Sequence, residues 1–190
     1  SPKLSFWDFV KLGIGHILNI GAFDHLLFLT ALLLGCRALK PMLLVITGFT
    51  LAHSLTLALA ALGVVVISSR VVEPLIAASI VFVAMENFRR VEKNWPRYAL
   101  TCGFGLIHGF GFAGALREAG LGISGAALAV PLLGFNLGVE CGQIVVAAVV
   151  LPGLFLLRRV KVFERFGTQT ISAVVMVVSG WWLLERLFSR

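Results

Sequence analysis

The chain has 190 residues, of which 59% are apolar and only 13% charged, and its mean hydropathy is +0.99. Soluble domains are ~45–50% apolar and ~25% charged, and a small soluble domain has too much surface for its volume to hide the excess. Water-soluble, disordered and collagen-like chains are excluded. What remains is an all-α, polytopic transmembrane helix bundle. A spanning helix takes ~20 residues, so the length predicts about six spans in one membrane domain covering 1–190.

Residues 4–19 (LSFWDFVKLGIGHILN) are moderately amphipathic, which suits an interfacial helix or the outer half of a first span. Asn19 and Gly21 interrupt the apolar run, which resumes over 22–35. That segment is short for a span, so the first span is expected to be long, tilted or broken near Gly21. The second span is expected at 41–62, with Pro41 at the first helical position. The third covers 72–89 with Pro74 in its first turn, and the fourth 98–119. The fifth, 125–157, carries Pro131 and Pro152 as expected kinks, and the sixth runs over 167–187. The segments are too long and unbroken for barrel strands.

Sixteen Lys+Arg stand against nine Asp+Glu, a net charge of +7. No basic tract of nucleic-acid-binding type accompanies it, so the lipid bilayer and not a nucleic acid is the expected partner. The charges sort by side. Arg37, Lys40, Arg89, Arg90, Lys93, Arg97, Arg158, Arg159, Lys161 and Arg165 fall in loops on one side of a six-span bundle, ten against the six on the other. The positive-inside rule places those ten in the cytoplasm and both termini outside, periplasmic in a bacterial inner (cell) membrane. Trp7, Trp95, Trp181 and Trp182 fall near span ends, as interfacial aromatics do. The three cysteines, Cys36, Cys102 and Cys141, are odd in number and form no CxxC, so buried free thiols are expected. The opening SPKLSFWDF has no initiator Met and no leader pattern, which fits a removed leader or a trimmed chain.

Ionisable side chains inside spans cost about 2.5–3.5 kcal/mol each on insertion scales. This chain retains several. All four histidines, His16, His25, His53 and His108, lie in or beside predicted spans, together with Asp24, Glu73, Glu86 and Glu140. His16 and the pair Asp24-His25 form H-x7-D-H. In an unbroken helix His16 and Asp24 would share a face, and a break at Gly21 would let both halves turn inward. Imidazole and carboxylate suit first-row divalent ions; an Asp–His hydrogen bond that satisfies two buried groups is the plainer alternative. His53 sits mid-span between Ala52 and Ser54, and a bond to a neighbouring helix would account for it. Ser54 reads as an interhelical hydrogen-bonder. His108 lies among glycines, and Gly105 and Gly109 form a G-x-x-x-G that lets backbones approach closely. Asn136, Glu140 and Gln143 recur at i, i+4, i+7 and so share one face. Hydrogen bonding accounts for the two amides, whereas a lone carboxylate needs a cation or a proton. Glu73 and Glu86 sit near span ends; Glu73 suits a helix N-terminus and Glu86 a pair with Arg89 or Arg90. The remaining groups lie at overlapping depth on four spans, and one site gathering them is cheaper than several isolated charges in lipid.

Taken in order, GHILNIGAFDHLLFLTALLL, FTLAHSLTLALAALG, VEPLIAASIVFVAMEN, FGLIHGFGFAGAL and FNLGVECGQ resemble the HupE/UreJ family of bacterial membrane proteins, over a stretch from about Gly13 to Gln143. The resemblance implies a secondary transporter for nickel or cobalt, with the family's polar motifs falling on His16, Asp24, His25, His53, His108 and Glu140. Two features depart from related nickel permeases: the longer spacing of H-x7-D-H, with Gly21 inside it, and a second helix poorer in histidine. The expected function is therefore a permease for a divalent transition metal, Ni, Co, Zn or Cu(II), which mixed nitrogen and oxygen ligands favour over Ca or Mg. The absence of a Walker motif means that coupling uses an ion gradient or a partner. One alternative is an intramembrane zinc-dependent hydrolase with an open water position and Asp24 or Glu140 as general base. Another is a structural membrane subunit whose polar residues lock helix packing. Small-residue faces would allow a homo-oligomer.

Overall fold

The computed structural model describes residues 4–19, 23–36, 38–89, 94–118 and 129–188. They form an all-helical bundle: α1 (Phe6–Leu18), α2 (Phe23–Leu34), α3 (Leu39–Ala61), α4 (Ser69–Glu86), α5 (Asn94–Glu118), α6 (Ala129–Leu157) and α7 (Thr168–Phe188), with a π-helical turn, Phe163–Gly167, leading into α7.

Local chemistry sets the boundaries. A capping box starts α1: Ser5 Oγ accepts from the Asp8 amide, and the Asp8 carboxylate accepts from the Ser5 amide at 2.8 Å. Ser68 caps α4 by accepting from the Arg70 amide. The end of α3 is a Schellman motif. Gly63 takes φ +71°, its amide donates to Ala60, and that of Val64 donates to Leu59; a left-handed residue there suits glycine.

Several boundaries differ from the sequence reading. α4 begins at Ser69, so Pro74 lies inside the helix and not in its first turn. Pro131 falls in the first turn of α6, where a missing amide costs little, and Pro152 is the interior proline. In place of the first span stand two helices, α1 and α2, inclined by 70° across residues 20–22, which lie outside the described residues; such a pair is a broken span or a re-entrant loop. Among the described residues, Lys40–Ala61, Ala129–Leu157 and Phe163–Phe188 suffice by length and hydropathy to cross a bilayer, and the α1–α2 pair makes a fourth if it is counted as one span. α4 and α5 fall short of that standard. α4 carries Arg70, Glu73 and Glu86 within 18 residues, and glycines dilute the hydropathy of α5.

The helices pack mainly in pairs, α1 with α6, α3 with α5 and α4 with α7, and α2 is inserted against α4, α6 and α7. Glycine sets two of these contacts. A Cβ at Gly138 of α6 would collide with the Val10 carbonyl of α1, and one at Gly13 with the Phe135 carbonyl. On α5, a Cβ at Gly105 would stand 2.6 Å from the Phe49 carbonyl, and one at Gly109 would strike Thr56 Oγ1 and the His53 carbonyl. The G-x-x-x-G of the sequence is thus a contact with α3. The second stripe, Gly134, Gly138 and Gly142 against α1, has the same spacing and was legible in principle. The core gathers around α2, where Phe28, Ala31 and Leu32 pack with Val45, Phe49, Ile76 and Ile80.

Candidate functional site

Four helices each contribute one histidine to a single place. The His16 ring of α1 lies 4.3 Å, centre to centre, from His25 of α2 and 6.4 Å from His53 of α3. His25 lies 5.5 Å from His108 of α5. The close approach of α5 to α3 at Gly109 brings His108 in, and the bend between α1 and α2 turns His16 and His25 towards each other. Aromatic rings wall the group: Phe112 and Phe135 stand 4.2 and 5.5 Å from His16, and Phe28 and Phe49 stand 4.7 and 5.3 Å from His108. His53 and His108 are each 1% exposed.

Hydrogen bonding leaves this group open. Both ring nitrogens of His25 and of His53, Nε2 of His16 and Nδ1 of His108 are buried with no hydrogen-bond partner among the described residues. Each such group costs about 1–3 kcal/mol relative to a satisfied one. One ring nitrogen is engaged: His108 Nε2 lies 2.9 Å from Ser79 Oγ of α4, which itself donates to the Ile76 carbonyl at 2.7 Å. Because that hydroxyl proton is directed at the carbonyl, Ser79 is placed to accept from Nε2–H, leaving Nδ1 of His108 with its lone pair free. Ser79 carried no sequence signal. A buried serine in an apolar helix is common, and only the crossing of α4 and α5 gives this one a role.

The two carboxylates stand differently. Asp24 neighbours His25 in sequence, but its Oδ2 is paired with Arg186 Nη2 of α7 at 2.7 Å. An Asp–His hydrogen bond does not satisfy His25. Glu140 accepts from Thr47 Oγ1 at 3.3 Å, and one turn on Gln143 accepts from Thr50 at 2.8 Å. The one face that the spacing predicts for these residues therefore meets α3, and the Asn136 Oδ1 atom on it is buried without a hydrogen-bond partner among the described residues. Among the described residues no three of His, Cys, Asp and Glu are arranged as a ready-made metal site. Of the outlying residues, Glu73 is exposed and Glu86 pairs with Arg89 at 2.8 Å. Ser54 donates to Thr50 within its own helix at 2.6 Å, correcting its interhelical reading. Cys36 is buried, Cys141 is partly buried and Cys102 is exposed, so the expectation of buried thiols fails at Cys102.

Around His16 an open depression of about 770 Å³ is lined by Asp8, Lys11, Gly15, Asn19 and Phe112, among others. Leu4, Leu12 and Leu18 make most of its wall apolar, with Asp8, Lys11 and Asn19 among them, and it reaches the His16 ring.

A protein-family model described as HupE / UreJ protein matches residues 1–186. No curated protein and no solved structure matches the chain. With nearly its whole length matched, the chain belongs to the HupE/UreJ family, and its apolar helices make it a membrane protein.

Proposed function

We propose that this HupE/UreJ protein is a permease for a divalent transition-metal cation, carried past the imidazoles of His16, His25, His53 and His108. One observation carries the reading. Six buried imidazole nitrogens converge from four helices without hydrogen-bond partners among the described residues, a cost that a bound ion would offset. A borderline-soft ion, Ni, Co, Zn or Cu(II), is what such nitrogens hold.

Two imidazoles on one tetrahedral ion, bound at about 2.0–2.1 Å, stand with ring centres roughly 5 Å apart. The observed spacings of 4.3, 5.5 and 6.4 Å straddle that value. A site gathered but not closed suits an ion that must leave again. Asp24, beside His25, and Glu140, on the α3–α6 seam, are the carboxylates available to offset the ion's charge. The hydrolase reading gains no observation of its own.

Sidedness follows from the same framework. Arg97 and Arg158 both bind the C-terminal end of α2, while Arg186 binds its N-terminal end. That separation supports the cytoplasmic assignment of the first two, with the His16 depression facing outward in a bacterial inner membrane.

The test is uptake by proteoliposomes holding a metal-sensitive dye, with Ni²⁺, Co²⁺, Zn²⁺ and Cu²⁺ supplied in turn. Wild type is expected to admit at least one ion. His25→Ala and His53→Ala are expected to lose at least about a hundredfold in rate while staying folded, because neither ring is held by a hydrogen bond. Uptake undiminished in both variants, or none for any ion in wild type, would overturn the reading.

A further inference from the structure

Asp24 sits in the first turn of α2, immediately before His25, and its partner comes from the last turn of α7. The two side chains are only 17% and 23% exposed. The same guanidinium donates from Nη1 to the Glu73 carbonyl of α4 at 3.3 Å and lies 5.8 Å from the Trp182 ring centre. Arg186 thus ties α2, α4 and α7 together at the rim of the imidazole group.

An arginine keeps its proton under all ordinary conditions. A fixed positive charge therefore adjoins the place proposed for a dication. In a low-dielectric setting the two repel, and both are attracted to Asp24. One carboxylate faces two candidate cations.

We propose that Arg186 is a resident counter-cation, which Asp24 releases when the metal arrives. The inference rests on the permease reading. Arg186 is a positioning residue in this scheme: it lowers metal affinity, keeps the carboxylate neutralised while the site is empty, and favours ions of charge two, which outbid a guanidinium. Its release frees the tie between α2 and α7, so occupancy of the imidazoles is signalled to the last helix. When the ion moves on, Arg186 recaptures Asp24 and drives exchange.

The experiment titrates Ni²⁺, Co²⁺ and Zn²⁺ into the detergent-purified full chain and measures uptake in proteoliposomes. Arg186→Gln is expected to tighten metal binding by about tenfold or more and to slow turnover, because the competitor that ejects the ion is gone. Arg186→Lys keeps the charge but loses the fork that reaches both Asp24 and the Glu73 carbonyl, and is expected to fall between wild type and Arg186→Gln in affinity. In an Asp24→Asn background the gain from Arg186→Gln is expected to shrink to about twofold or less, as coupled residues do. Metal binding is also expected to change tryptophan emission in wild type, and Trp182→Phe should remove that change.

Unchanged or weaker affinity in Arg186→Gln overturns the proposal and leaves the permease reading intact. A full tenfold gain in the Asp24→Asn background would show plain repulsion without competition, which also overturns it. If Arg186→Gln does not fold, the Trp182 signal decides, and its absence in metal-binding wild type sinks the idea. Failure of wild type to bind any ion removes the permease reading first.

Discussion

The two ends of α2, a helix of only 12 residues, show opposite treatments of polar groups in the same bundle. At the C-terminal end the backbone carbonyls are gathered in by arginines. Arg97 Nη2 donates to Leu32 at 3.1 Å and to Asn87 Oδ1 at 3.0 Å; Arg158 donates to Leu34 at 2.8 Å and Cys36 at 3.1 Å; Asn87 donates in turn to Ala31 and Ser172. Cations there also meet the negative end of the helix dipole. At the N-terminal end Asp24 is tied by Arg186, but among the described residues His25 and its neighbouring imidazoles have almost no partners. The C-terminal network is nearly closed, with Arg97 Nε its one buried nitrogen lacking a partner among the described residues, whereas most of the imidazole nitrogens lack one. On the permease proposal, the difference sets a structural end of one short helix against a ligand-binding end.

The comparison can be broken at its closed end. Arg97→Met takes the guanidinium donor from Asn87 Oδ1 and one of the donors from each of the Ala31 and Leu32 carbonyls, which keep the Asn87 and Gly35 amides. It is expected to cost about 2–4 kcal/mol of stability, since charged hydrogen bonds contribute most and the abandoned Asn87 acceptor stays buried. Thermal unfolding in detergent measures the loss, and metal affinity of the folded fraction is expected to be unchanged. Altered affinity with an unaltered melting temperature would reverse the roles assigned to the two ends.

A smaller effect is expected where packing and site meet. Gly109→Ala pushes α5 from α3 at the His53 carbonyl, costing about 1–3 kcal/mol by overpacking and weakening metal binding as His108 shifts. Gly103→Ala, whose Cβ meets nothing within 4 Å, is the matched control and is expected to change stability by less than about 1 kcal/mol. Melting temperature and metal titration on both variants separate helix approach from helix propensity.

The smallest expected effect sharpens the open end. Ser79→Ala removes the partner of His108 Nε2 at 2.9 Å. Supporting hydrogen bonds to metal-binding histidines are worth about 10–100-fold in affinity, and the low end of that range is expected, because this ring is also held by Phe28 and Phe49. Affinity unchanged in Ser79→Ala would make the contact a packing detail.

The sequence by itself determined the all-helical membrane class, because apolar composition in a small chain leaves no soluble solution. It also held a break near Gly21 as one of three readings of the first span, placed a close approach at Gly105 and Gly109, and marked the four histidines as candidates, since charge and imidazole at membrane depth must be accounted for. Span limits were less legible, because α4 and α5 mix charge or glycine into their apolar runs and a linear hydropathy reading cannot weigh that against burial. The partners of Asp24, Glu140 and His108 were decided by tertiary structure alone. Arg186 lies 162 residues from Asp24, and Ser79 lies 29 from His108. No local spacing encodes such pairs; they exist only because α7 packs on α4 and α5 crosses both α3 and α4, which places side chains from distant segments at one depth in a medium without water to satisfy them.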